Sequence, residues 1–122
     1  TFDVIDSEGN FRGGVIAPGI NLSVEALYMA GALLPRVNIE TPEKVIGGAT
    51  VPAMQSGIFW GYVSLIEGMV PRLAEAYGKP VTVVATGGLA PLFADVTEVI
   101  DETEPDLTLI GLREIARLNG IA

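Results

Sequence analysis

The sequence predicts an α/β fold, and three observations carry that expectation. Strand-like alternation opens the chain at residues 1–6, long segments of helical apolar periodicity follow, and a β-branched run at 81–85 interrupts them. Strand and helix signals alternating along one chain are the pattern of an α/β layer architecture. The chain has 122 residues, 49% hydrophobic and 18% charged. That length suits one domain, and that balance supplies a core and excludes disorder.

Each element has its own signal. Phe2 and Val4 alternate with Asp3 and Asp6, and Ser7-Glu8-Gly9-Asn10 reads as a hairpin turn leading into a second arm at 11–16. Ala17-Pro18-Gly19 breaks that arm. Asn21 or Ser23 is a candidate cap for a helix that Val24, Ala26, Leu27, Met29, Ala30, Leu33 and Leu34 carry to Pro35. Residues 37–41 are ambiguous, and Val45-Ile46 before Gly47-Gly48 reads as a brief strand and turn. Thr50 opens the longest helix, expected to reach Tyr77 and stop at Gly78, with a kink or break at Pro71. Residues 81–85 form a buried-type strand ending in Thr86-Gly87-Gly88, and 89–94 form a short helix. Val99-Ile100 is a candidate last strand, 101–106 an acidic turn, and 107–119 an amphipathic helix with Leu109, Leu112, Ile115, Ala116 and Leu118 apolar. No linker, repeat or low-complexity tract divides the chain. Residue 1 already sits inside a strand pattern, so the chain is expected to be the later part of something longer.

Composition removes whole classes of chemistry. There is no Cys, hence no disulfide, thiolate nucleophile or Cys-based zinc site, and no His, hence no Ser-His-Asp triad. Seven Lys and Arg against fifteen Asp and Glu give a net charge of −8, which argues against nucleic acid and against an anionic membrane surface. No signal peptide or bilayer-length apolar run is visible, so the expected setting is cytoplasmic, with no membrane partner.

Several motifs carry a functional and a structural reading side by side. Gly57, Gly61, Ser64 and Gly68 share one helix face, suited to close packing either within the fold or across a dimer. Gly87-Gly88 after a buried strand lets a nucleotide lie against the backbone, or is an ordinary turn. Residues 13–19 leave a strand through a Pro-bracketed loop, which is at least a strand-to-helix corner. Thr50 before Val51-Pro52 is a good N-cap, or a hydroxyl donor beside a helix N-terminus that favours anions such as carboxylates. Asp101, Glu102, Glu104 and Asp106 could hold a hard cation, but lack calcium-loop spacing and read better as a solvated turn.

Taken in order, these segments resemble the second half of a type III pantothenate kinase, the Bvg accessory factor family. The matching stretches are Thr1-Phe2-Asp3, Gly13-Gly14-Val15-Ile16-Ala17-Pro18-Gly19, Thr50-Val51-Pro52-Ala53-Met54-Gln55-Ser56-Gly57, Gly61-Tyr62, Ala85-Thr86-Gly87-Gly88-Leu89-Ala90 and Pro105-Asp106-Leu107-Thr108-Leu109 with Gly111-Leu112. The resemblance implies a ribonuclease-H-like, actin-like ATPase domain of the acetate and sugar kinase superfamily, a mixed central sheet flanked by helices. It also implies transfer of the ATP γ-phosphate to pantothenate, the first step of coenzyme A synthesis, using Mg²⁺ and a monovalent cation, K⁺ or NH₄⁺. A homodimer with pantothenate near its interface is implied as well.

Carried over residue by residue, Thr50 matches a pantothenate-contacting position, with Ala49 where the family commonly has Asn. Ile16 and Gly19 fall where the family lines its substrate pocket. Gly87 and Gly88 match the Gly pair near the adenosine, and Thr1 the end of a phosphate motif. The small-residue face then reads as a dimer seam. The family's first phosphate loop, its general-base Asp and its cation-binding Asp have no counterpart in these residues. The chain is therefore expected to hold no catalytic and no metal-binding residue, to be the C-terminal domain of a two-domain kinase, and to be inactive without an N-terminal half. The alternatives from other classes are a non-catalytic dimerisation or ligand-binding module and an accessory regulator of the same fold.

Overall fold

A computed structural model describes residues 1–31 and 33–121. The chain divides into two compact units, Thr1–Leu65 and Ile66–Ala122, each described here by itself.

The first unit opens with the expected hairpin. β1 (Phe2–Ile5) pairs antiparallel with β2 (Phe11–Val15), Phe2 facing Val15 and Val4 facing Gly13. The register slips between Val4 and Ile5, where Arg12 is the extra residue and Gly13 takes a φ of 112°. A positive φ of that kind is open to glycine and strained for other residues, which is why the bulge sits there. Gly14 is required for a different reason: a Cβ at that position would overlap the carbonyl of Phe2 on the facing strand.

Asp6 builds the turn between the strands. Its carboxylate accepts the backbone N–H groups of Asn10 at 2.8 Å and Glu8 at 3.0 Å. These bonds, led by that from Asn10, hold the Asp6 pKa below its ordinary value of 3.8. The unfolded chain therefore takes up the Asp6 proton first as pH falls. The turn's contribution is complete above pH 3.8 and is lost as pH drops through the lowered folded value. We expect thermal melts of an Asp6→Ala variant to lack this acid-dependent component. Parallel loss of stability in variant and wild type would show that Asp6 does not anchor the turn.

Helix α1 (Ile20–Ala30) starts earlier and ends sooner than the sequence suggests. Gly19 occupies the N-cap position with no side-chain cap, and the Ser23 hydroxyl bonds back to the Gly19 carbonyl at 3.3 Å. Neither Asn21 nor Ser23 is the cap, because both already lie inside the helix. Leu33, Leu34 and Pro35 follow it in irregular chain. Val45-Ile46 forms no strand: both side chains are exposed, and the Val45 carbonyl instead accepts the Ser56 hydroxyl.

The long helix α2 (Thr50–Tyr77) has the predicted bounds, and Gly78 ends it with a φ of 73° and a bond to the Ala74 carbonyl. Of the kink or break expected at Pro71, the break does not occur: the helix continues through it. Pro71 removes one helical N–H, while next to it the Arg72 side chain donates to the Gly68 carbonyl at 2.6 Å. Met54, Ile58, Phe59 and Val63 are buried on α2, and among the described residues Ile20 of α1 is the other buried apolar side chain of this unit.

In the second unit β3 (Val84–Ala85) pairs parallel with β4 (Glu102–Thr103), Val84 facing Glu102. Both strands are shorter or later than expected. The ladder extends outward through backbone bonds from Asp101 and Glu102 to Val83, and the Asp101 carboxylate accepts the Val83 N–H at 2.7 Å. Part of the predicted acidic turn is thus a strand, because its backbone pairs with β3 and with Val83 just before it. Val99-Ile100 precedes the pairing. Between the strands, α3 (Ala90–Ala94) buries Phe93. Thr97 is also buried, and its hydroxyl donates to Glu67 at 2.9 Å. α4 (Leu107–Leu118) is helical as predicted, yet Leu109, Leu112, Ile115 and Leu118 are all exposed. Among the described residues the strands form two separate two-stranded ladders, one antiparallel and one parallel, in place of the single mixed sheet that was expected.

Candidate functional site

The N-terminus of α2 is built by residues that leave Thr50 unoccupied. The Ala49 carbonyl accepts the Ala53 N–H at 3.0 Å, so Ala49 holds the cap position and Thr50 is the first helical residue. This corrects the capping role: a methyl side chain stands at the cap, and the Thr50 hydroxyl is not consumed by it. Thr50 and Val51 are exposed, and no hydrogen bond among the described residues engages the Thr50 side chain. The amides of the first turn lack helical acceptors, and Pro52 has none to offer. A hydroxyl beside two such amides at the positive end of a helix suits a carboxylate.

The preceding loop is fastened down beside this end. Gln55 donates to the Glu40 carboxylate at 2.6 Å, and the buried Ser56 hydroxyl donates to the Val45 carbonyl. A Cβ at Gly47 would overlap the α2 backbone at Pro52 and Ala53. In the sequence Gln55 and Ser56 stand within the Thr50–Gly57 motif with no task of their own. A polar pair just inside an apolar helix, following a Gly-Gly loop, was the available signal.

The second predicted element, the loop carrying Ile16 and Gly19, lies in the same unit. The Ile16 side chain is 88% exposed, so no packing holds it. The Tyr62 hydroxyl, on α2, donates to the Pro18 carbonyl at 2.5 Å. Tyr62 lies more than three turns beyond Thr50, about 18 Å along the helix at 1.5 Å per residue. Thr50 and the Ile16 loop are therefore mounted on one helix but well apart along it.

Gly87 and Gly88 belong to the second unit, where they leave the carboxyl end of β3 and lead into α3. That is the end of a parallel strand at which α/β folds bind ligands. Gly87 takes a φ of 99°, and the space beside both glycines is open to 4 Å. Thr1, in the first unit, precedes β1, and its hydroxyl donates to the Asp3 carboxylate at 3.2 Å.

Asp101 and Glu104 of the acidic segment serve the backbone, Glu104 accepting the Asp106 N–H at 2.9 Å. Among the described residues no three Asp or Glu side chains converge as metal ligands. On the small-residue face of α2, a Cβ at Gly57 or Gly61 would meet nothing within 4 Å. The packing-within-the-fold reading of that face therefore fails at these two positions. No helix among the described residues is long and apolar enough to cross a membrane.

Comparison with known proteins agrees with this assembly of motifs. The family model for type III pantothenate kinase matches residues 1–72. The type III pantothenate kinase of Paramagnetospirillum magneticum is 66% identical over 119 residues, covering 98% of this chain and 46% of the relative. That of Rhodospirillum rubrum is 62% identical over the same coverage. The chain thus spans about half the length of these curated relatives and corresponds to their C-terminal half. In fold, it is similar to the crystal structure of a Baf family protein from Campylobacter jejuni, with a TM-score of 0.65 and 21% identity over 98% of this chain and 53% of that one. On the strength of the family match and of these identities, the chain belongs to the type III pantothenate kinase family.

Proposed function

We propose that these residues are the C-terminal domain of a cytoplasmic two-domain enzyme that phosphorylates pantothenate to 4′-phosphopantothenate with ATP, opening coenzyme A synthesis. The observation that carries the reading is identity of up to 66% to relatives bearing that name, spread over 98% of the chain. The geometry of the α2 N-terminus supports it: Thr50 and the first-turn amides offer uncommitted donors for the pantothenate carboxylate. Ile16 and Gly19 supply an apolar wall and a close backbone approach for the same substrate. The family resemblance assigns Gly87 and Gly88 to the adenosine and Thr1 to the end of a phosphate motif.

Phosphoryl transfer depends on positioning and on neutralising phosphate charge. In this reading Mg²⁺ arrives with ATP, and it and the monovalent cation, K⁺ or NH₄⁺, are assigned to carboxylates of the N-terminal half. The general-base Asp belongs there too, and takes the proton of the pantothenate hydroxyl as the γ-phosphoryl moves onto its oxygen and ADP leaves.

Two further features support an incomplete domain. The apolar residues exposed on α4, together with Leu22 and Met29 of α1, call for cover by further protein. For the complete enzyme the fold is read as the actin-like ATPase type. The open Gly57–Gly61 face forms the seam with a second copy, giving a homodimer.

The test is ADP release coupled to pantothenate, in the presence of ATP, Mg²⁺ and K⁺. Full-length protein carrying this chain is expected to turn over, and the isolated 122 residues are not. Turnover by the isolated chain would overturn the division of labour. A full-length protein inert toward pantothenate would leave the fold as a binding module.

A further inference from the structure

Resting on the pantothenate reading of the Ile16 loop, we propose that Tyr62 is a positioning residue for that substrate, acting through its bond to the Pro18 carbonyl. The loop has little else to place it. Ile16 is 88% exposed, Pro18 and Gly19 are exposed, and the other hydrogen bonds at residues 16–19 are local, from Ser23 to the Gly19 carbonyl. The Tyr62 bond, spanning 44 residues of sequence, is the only one among the described residues that fastens this loop to a distant element.

Its anchor is rigid. Tyr62 stands beside the buried Val63 and one turn from Phe59, which is 0% exposed, so the hydroxyl is presented from the packed part of α2. Pro18 restricts the loop's own backbone, which makes one hydrogen bond enough to select its position. Because the same helix carries Thr50 at its N-terminus, the phenol sets the spacing between the two elements assigned to pantothenate. Gly87 and Gly88, assigned to the adenosine, lie in the second unit.

The experiment is Tyr62→Phe in the full-length kinase, which keeps the ring and removes only the donor. Two readouts are taken together, steady-state kinetics and backbone hydrogen exchange. The amides of Ile16, Ala17 and Gly19 should exchange faster while those of α2 around Phe59 stay protected. The pantothenate KM should rise about fivefold, as for loss of one ordinary hydrogen bond, with kcat and the ATP KM unchanged. Unchanged exchange in the loop would overturn the tether. Faster exchange with an unaltered pantothenate KM, or an equal rise in both KM values, would overturn the positioning role. A wild-type enzyme that fails to phosphorylate pantothenate removes the underlying reading instead. A working wild type matched by Tyr62→Phe removes this inference alone.

Discussion

Thr50→Ala in the full-length enzyme is expected to raise the pantothenate KM by roughly ten- to a hundredfold, leaving the ATP KM nearly unchanged. A hydrogen bond to a charged group is worth about 1.5–3 kcal/mol, and that range converts directly into the expected shift. The structure makes the test sharper than the sequence could. A Thr at the N-cap would lose about 1 kcal/mol of stability on truncation, and KM changes would be confounded by fraying of the helix. Here the cap position is Ala49, so the Thr50 hydroxyl contributes no cap bond. Ala is at least as good a helix former as Thr, so the melting temperature should stay level or rise slightly.

The control is Thr50→Ser, which keeps the hydroxyl and should hold the pantothenate KM within a few-fold of wild type. Loss of stability together with equal rises in both KM values would return Thr50 to a merely structural role. So would a Thr50→Ser variant as impaired as Thr50→Ala.

How far the fold was legible follows from where its causes lie. α2 was read to its observed bounds because its signals are local: an apolar periodicity and a Gly stop that takes a positive φ. The first hairpin was equally local, a turn of Asp, Gly and Asn between alternating arms. The second ladder was displaced because pairing is decided across the chain. Val99-Ile100 has the better strand composition, yet the Asp101 carboxylate bonds the Val83 amide and draws Glu102–Thr103 into register. Val45-Ile46 shows the same limit, a β-branched pair with no partner strand and a carbonyl claimed by Ser56. Helix α4 was correctly periodic, but periodicity says only that a face is apolar, not what covers it.

The candidate site divides in the same way. Thr50 and the Gly87-Gly88 turn were visible as motifs, and the structure places them at a helix start and a strand end. The cap assignment failed because capping depends on one carbonyl's choice of donor, a matter of a single residue in register. Tyr62 was visible as a letter beside Gly61 without a task, since its partner is 44 positions away and is a backbone carbonyl. No composition or spacing rule points at such an acceptor.

Phe59→Ala is the substitution expected to cost most in stability, about 3–5 kcal/mol. Phe59 is the most deeply buried large side chain, at 0% exposure, and meets Trp60 edge to face with ring centroids 5.0 Å apart. Met54, Ile58 and Val63 are the other buried apolar side chains of α2, and among the described residues the unit adds only Ile20 to them. With so few buried side chains, truncating this one removes a large part of the unit's core. Against a typical total of about 5–15 kcal/mol, that is a large share of the folding free energy. The melting temperature should fall by about 10 °C in the full-length protein, and Phe59→Leu should cost about 1–1.5 kcal/mol. A loss below about 1 kcal/mol for Phe59→Ala would show that this core does not hold α2 in place. The functional consequence follows from position. Thr50 and Tyr62 are carried on the helix that Phe59 anchors, so near the melting range the variant should lose pantothenate affinity before it loses secondary structure.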